Sequence, residues 1–338
     1  MNLSGKQNIG KGAVTARPFD GRKALFLLVY SLAMLALGVA TVEIYGRTVL
    51  EPRYRRDERS RNFEYNTVLG WFPKKNDQRT FEATRPIVVR HNRDGFRDDE
   101  PGLKDRPRVL FLGDSFVWGY DVEKDERFTE KLQGQLADKQ VLNLGVSGYS
   151  TDQEWILLRR EYDRYRPDVV FLILDQNDRA GNSSNMAYGY FKPYFVNDRG
   201  RWVPRGIPVP KNAMYRFRTM KSFWGRSYCV MILLKVYERF FERQEHRPIR
   251  VPDPTEGLIG QMNSFVTRKG GQFIVGLIDP DPVLARFCRN GHIPVADLTE
   301  VDLRYRYPSN GSHWDPSGHE RVAGLLEQTL RRMYASHN

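Results

Sequence analysis

The chain has 338 residues, 40% hydrophobic and 28% charged, with a formal net charge of +12 and two cysteines. That balance excludes a collagen, a wholly disordered chain, a polytopic membrane protein, a disulfide-rich scaffold and a multi-cysteine zinc module. Residues 1–61 hold eleven Lys/Arg against five Asp/Glu, half of the positive excess; the charge marks an arm and not a face of the domain, and no nucleic-acid partner is expected.

Residues 1–23 are the basic arm. Residues 24–42 (ALFLLVYSLAMLALGVATV) carry no charge. As a helix rising about 1.5 Å per residue they reach about 28 Å, close to the hydrocarbon core of a bilayer. Residues 24–45 are therefore expected to enter a membrane. One form is a permanent signal anchor, favoured because the apolar stretch of a signal peptide is usually ~7–15 residues long. The other is a cleaved signal cut near Gly38-Val39-Ala40. Lys6, Lys11, Arg17, Arg22 and Lys23 precede the helix, and Arg47, Arg53, Arg55, Arg56, Arg59 and Arg61 follow it. Arg22-Lys23 abuts the helix, which puts the N-terminus inside and the long C-terminal part outside. The expected location is a bacterial inner (cytoplasmic) membrane, crossed once, with the domain extracytoplasmic.

Residues 46–105 read as a linker with a short β lead-in, including a strand at 87–90 and a turn at Asn92-Arg93-Asp94-Gly95. Residues 106–338 alternate strands and helices. Strands are expected at 108–112, 140–144, 168–174, 272–278 and 293–296, with helices at 128–137, 152–165, 256–269 and 315–334. The run 168–174 (DVVFLIL) is almost wholly apolar, as a central parallel strand covered on both faces must be. This alternation predicts a doubly wound α/β sheet. An aromatic- and proline-containing insertion at about 183–250 interrupts it. Asp198-Arg199-Gly200 is expected to turn a hairpin there, and 230–241 to form a helix. Such an insertion either shapes a pocket or forms a satellite hydrophobic cluster.

The chemistry lies on the strand ends. Gly113-Asp114-Ser115-Phe116 follows the first strand and sets the Ser115 hydroxyl at the carboxyl edge of the sheet, where open α/β sheets hold their ligands. A serine there is a nucleophile only with a base and an oxyanion site. The turn 143–148 follows the second strand and can aim a backbone N–H, ending at Gly148. Gln176-Asn177-Asp178 follows the third, with an amide on Asn177. Ser312-His313-Trp314 precedes the last helix and supplies an imidazole. Asp114 is expected to bond the turn backbone, Asp178 to be structural, His319 to pack, and Asp315 to cap the helix that begins at Pro316. His91, His246, His292 and His337 match no ligand spacing, and no metal or cofactor is expected.

Together these blocks resemble the SGNH hydrolase family, also called GDSL-type esterases, in particular its membrane-anchored bacterial members. The resemblance spans roughly residues 88–335. It implies a flavodoxin-like three-layer α/β sandwich with a parallel sheet. It further implies Ser115 as nucleophile, His313 as general base, and an oxyanion hole from the Ser115 and Gly148 N–H groups and the Asn177 side chain. The implied activity is a serine esterase or acyl hydrolase acting on O-acyl groups, O-acetyl among them, of a cell-envelope glycan or lipid. An acyltransferase using the same site, and a catalytically silent glycan- or protein-binding domain, are the alternatives. One departure stands out. The family's acid usually lies three residues before the histidine, and here that position is Asn310. Either Asn310 orients His313 without a charge, or a backbone carbonyl, Asp297, Asp302 or Asp315 substitutes.

Overall fold

The computed structural model describes residues 20–51, 62–211, 215–216, 220, 223–241, 248–308 and 313–335. Helix α1 (Gly21–Tyr45) contains the uncharged stretch and continues as a π-helical turn to Leu50. Its apolar window is not buried against any part of the chain. The Arg53–Arg61 run and most of the basic arm lie outside the described residues.

The stretch expected to link helix and domain carries two antiparallel hairpins. These are β1 (Phe63–Asn66) with β2 (Gly70–Pro73), and β3 (Gln78–Glu82) with β4 (Pro86–Arg90). Trp71, Phe81, Ile87 and Phe96 are buried in the domain's own core. The polar composition of this stretch belongs to its outward side chains, and the alternating inward ones are apolar.

The α/β unit then follows in chain order: β5 (Arg108–Leu112), α2 (Ser115–Trp118), α3 (Phe128–Gln135), β6 (Gln140–Asn143), α4 (Thr151–Tyr165), β7 (Val169–Leu174) and α5 (Asn177–Asn182). The insertion holds β8 (Met186–Ala187), β9 (Tyr190–Phe191), β10 (Tyr194–Asp198), β11 (Arg201–Arg205) and α6 (Tyr228–Phe241). The expected hairpin is β10–β11, turned at Arg199-Gly200. The unit closes with α7 (Thr255–Arg268), β12 (Gln272–Leu277), α8 (Pro282–Asn290), β13 (Val295–Asp297) and α9 (Pro316–Ala335). Helix α8 is an addition to the expected elements; it is only nine residues long, and Asp281 starts it by capping the Leu284 N–H.

The five parallel strands lie in the order β13-β12-β7-β5-β6. Counted by appearance in the sheet this is 2-1-3-4-5, the flavodoxin-like order, so the expected fold is the observed one. The sheet separates two cores. Leu110, Leu112, Val170, Leu172, Val275 and Leu277 face one side. Val109, Phe111, Val169, Phe171, Ile173 and Ile274 face the other. This period-two split puts both faces under cover and explains why the strands are apolar throughout. Helices α4 and α7 and the hairpin aromatics cover the first face; α3 and α9 cover the second.

Candidate active site

The strand order reverses between β5 and β7, and ligands of open α/β sheets bind at such a switch point, beyond the strands' carboxyl ends. Ser115 follows β5 and Asn177 follows β7. Helix α2 is a single turn; Asp114 caps it through Phe116 N–H (2.9 Å), and Gly119 ends it at φ +84°. Gly145 lets the next turn lie against it, since a Cβ there would sit 2.6 Å from the Trp118 nitrogen. Asn143 fixes that contact by donating to the Val117 carbonyl (2.7 Å) and accepting the Gly145 N–H (3.0 Å).

His313 reaches this turn from the far end of the chain. Its backbone carbonyl accepts the Tyr307 N–H (2.9 Å), and an isolated bridge joins Arg306 to Trp314. Its ring stacks on Tyr120, with centroids 4.5 Å apart, and tilts against Phe116. Held in this way, Nε2 lies 2.8 Å from the Ser115 Oγ. That is the hydrogen-bond distance that a serine nucleophile and its base would need.

The acid behind the histidine is Asp121. Its Oδ2 lies 3.4 Å from His313 Nδ1, and Asp121 is fully buried. Among the described residues neither atom has a hydrogen-bond partner of its own. The distance exceeds an ideal hydrogen bond, as is common before substrate tightens a site. The carboxylate is aimed from two sides. Oδ1 accepts the Thr84 N–H (2.6 Å), and the backbone carbonyl accepts Arg85 Nε (3.2 Å). Buried Arg97 donates to the carbonyls of Gly119 (2.5 Å), Val122 (2.8 Å) and Trp118 (3.3 Å), which fixes the turn around it. Asp121 sits at φ +71°, a left-handed conformation that costs energy for a residue with a Cβ. The β3–β4 hairpin, read from sequence as a lead-in, therefore builds the site.

Spacing along the chain does not point to Asp121, because it lies far from His313 in sequence. The signal in the sequence is Gly119-Tyr120-Asp121, a turn directly behind the Ser115 helix. Of the carboxylates expected near the histidine, Asp297 bonds Thr299 and Asp302 bonds Arg304, both on exposed turns. Asp315 caps α9 by accepting the Gly318 N–H (2.9 Å), as expected. Asn310 lies outside the described residues. His319 is buried and accepts the Phe128 N–H through Nδ1 (3.2 Å), a packing role.

The expected oxyanion donors are placed less simply. The Ser115 N–H opens α2 and has no acceptor inside the helix. Gly148 follows the turn at φ +79°. The Asn177 amide, however, donates to Asp175 (2.7 Å) and to Asp114 (3.1 Å). It bridges carboxylates where an amide with an open N–H was expected. The cause is the crowd of acids there. Burial, with Asp114 and Asp279 nearby, pushes the Asp175 carboxyl up to about 8, and burial beside Asp114 does the same for Asp178. Asp178 otherwise bonds the backbone of Thr151 and Asp175, a structural role. Among the described residues no group of three or more His, Cys, Asp or Glu is arranged to hold a metal ion.

Residues 111–206 match the model of the GDSL-like lipase/acylhydrolase family, a segment that includes Ser115, Gly148 and Asn177. No curated protein matches the chain. Among solved structures the chain is similar to TesA, at 14% identity and a TM-score of 0.41 over 67% of this chain and 98% of that one. It is similar to the psychrotrophic esterase EstA from Pseudoalteromonas sp., at 10% identity and TM-score 0.41, covering 68% and 98%. It is also similar to a GDSL-like lipase from Bacteroides thetaiotaomicron, at 13% identity and TM-score 0.37, covering 70% and 93%. Superpositions this loose assign no residue a role.

Proposed function

We propose that this chain, of the GDSL-like lipase/acylhydrolase family through residues 111–206, is a membrane-anchored serine esterase acting on O-acyl groups of a cell-envelope glycan or lipid. The observation that carries this reading is the 2.8 Å approach of His313 Nε2 to Ser115 Oγ, with Asp121 behind the ring. His313 takes the Ser115 proton as Oγ attacks the ester carbonyl. Asp121 accepts the Nδ1–H, which fixes the tautomer with Nε2 free and stabilises the imidazolium that forms. The N–H groups of Ser115 and Gly148 face the developing oxyanion, and the Asn177 amide joins them by releasing one carboxylate. Each such donor is worth roughly 10²–10³ in rate. His313 returns the proton to the leaving alcohol, and a water activated by the same ring releases the acyl group from Ser115.

The anchor is α1, with the domain outside the cytoplasm. Support for an uncleaved helix comes from its join to the domain. Ser227 Oγ donates to Glu43 (2.6 Å), and Gly46 lies against the Tyr228 ring, where a Cβ would clash. A signal destined for removal would gain nothing from such contacts. The substrate class rests on the compartment.

The test is direct. Full-length protein in detergent is assayed with p-nitrophenyl acetate and labelled with a fluorophosphonate, alongside Ser115→Ala. The expected result is hydrolysis and labelling at Ser115, both lost in the variant, with thermal stability changed by no more than about 1 kcal/mol. A folded protein that neither hydrolyses nor labels overturns the enzymatic reading.

A further inference from the structure

The strongest feature outside the catalytic site is one face of α6. Ile232, Leu233, Val236, Tyr237 and Phe240 recur at helical spacing and are all exposed, Leu233 at 66% and Phe240 at 63%. The opposite face is already used, with Tyr228 and Met231 buried in the domain core. A helix with one face in the protein and a second apolar face outside it has a second partner to meet. Trp224, 63% exposed, stands just before the helix.

The position of α6 identifies that partner. Its start is docked on α1 where the uncharged stretch ends. Glu43 accepts from Ser227 Oγ and from the Cys229 N–H (3.3 Å), and the Cys229 thiol approaches the Val39 carbonyl (3.9 Å). Val39 lies inside the 24–42 stretch, so α6 begins level with the last apolar turn of α1. The exposed stripe spans about 12 Å at 1.5 Å per residue. Arg239, exposed, stands at the margin of the stripe, next in sequence to Phe240. Apolar residues with Trp and Lys/Arg at the flanks are the composition of helices that lie ~5–10 Å deep in a bilayer interface.

We infer that α6 is a second membrane contact, an interfacial helix whose Ile232–Leu233–Val236–Tyr237–Phe240 face sinks into the leaflet surrounding the outer end of α1. The inference rests on the reading of α1 as a membrane anchor. It gives the domain two points of attachment, so that it cannot swing freely about α1. The catalytic serine then works at a fixed orientation to the lipid surface.

The experiment uses the full chain in phosphatidylethanolamine/phosphatidylglycerol liposomes, with Cys229→Ser and Cys288→Ser as background. Single cysteines replace Leu233, Val236, Leu32 in α1, and Arg304 on the exposed surface, each labelled with an environment-sensitive fluorophore. Quenching is compared between iodide in the water and lipids with a nitroxide high on the acyl chain. The expected result is blue-shifted emission at 233 and 236, most of it lost to the nitroxide and little to iodide, with the reverse at 304. A probe at 32 shielded from iodide while 233 and 236 are quenched by it overturns the inference and leaves the anchor standing. A probe at 32 that iodide quenches removes the anchor itself. Shielding of 233 and 236 from both quenchers means protein covers the stripe, a second copy included, and also overturns the inference.

Discussion

The Asp121 carboxylate lies 3.4 Å from His313 Nδ1, although the two residues stand near opposite ends of the domain's sequence. Asp121 instead follows Ser115 closely, behind the single turn of α2. Ser115 and Asp121 thus flank one short helical turn, and His313 is brought to both by the segment before α9.

This arrangement predicts an unequal pair of variants. Asp121→Asn keeps an acceptor for the Thr84 N–H but loses the charge facing the imidazole. It is expected to lower kcat by roughly 10³–10⁴ with little change in KM, the scale seen when a triad aspartate becomes asparagine. Asn310→Asp should leave kcat within a few-fold of the parent. Steady-state kinetics on p-nitrophenyl acetate measure both; a large gain in Asn310→Asp would return the acid's place to position 310.

The Asn177 amide is tied to Asp114 and Asp175 in the resting site. If it turns to the oxyanion during reaction, Asn177→Ala lowers kcat by roughly 10² or more and leaves KM nearly unchanged. If it only bridges the two acids, the variant melts earlier and kcat holds. The kcat-to-KM split, read beside a melting curve, separates the two, and the first outcome is expected.

Asp175 carries a pH prediction. Its folded pKa is raised to about 8 by burial and neighbouring acids, well above an ordinary aspartate near ~4. A carboxyl raised in this way stabilises the fold fully below its unfolded pKa and loses that contribution as pH climbs through the folded one. Stability is therefore expected to decline between about pH 4 and 8, with Asp178 adding to the slope. Asp175→Asn, which cannot ionise, should flatten part of the decline in melting temperature from pH 5 to 9. An unchanged slope would place the titrating proton elsewhere.

Arg97 is fully buried, lies 5.0 Å over the Trp118 ring, and donates to the carbonyls that frame Asp121. Arg97→Met would leave several buried carbonyls without donors, at about 1–3 kcal/mol for each. A loss of about 3 kcal/mol or more in urea unfolding is expected, and kcat should fall in protein that remains folded, because Asp121 loses its frame.

The sequence by itself determined the sheet, the long uncharged helix and two of the residues that the fold brings together. Strands such as 169–174 are apolar on both faces, which only a covered parallel sheet requires, and Ser115 and His313 stand in local motifs at strand and helix ends. It also placed the β10–β11 hairpin, because Arg199-Gly200 is a turn by local chemistry alone. What only the tertiary structure decided was which carboxylate serves His313, what the 62–97 stretch is for, and where the Asn177 amide points. Each of these depends on contacts between residues far apart in the chain: Thr84 with Asp121, Arg97 with Gly119, Asn177 with Asp114. Local propensity and periodicity report what a residue does with its neighbours along the chain. Orientation of a buried carboxylate is set by which donors packing happens to bring within about 3 Å, and no spacing in the sequence encodes that.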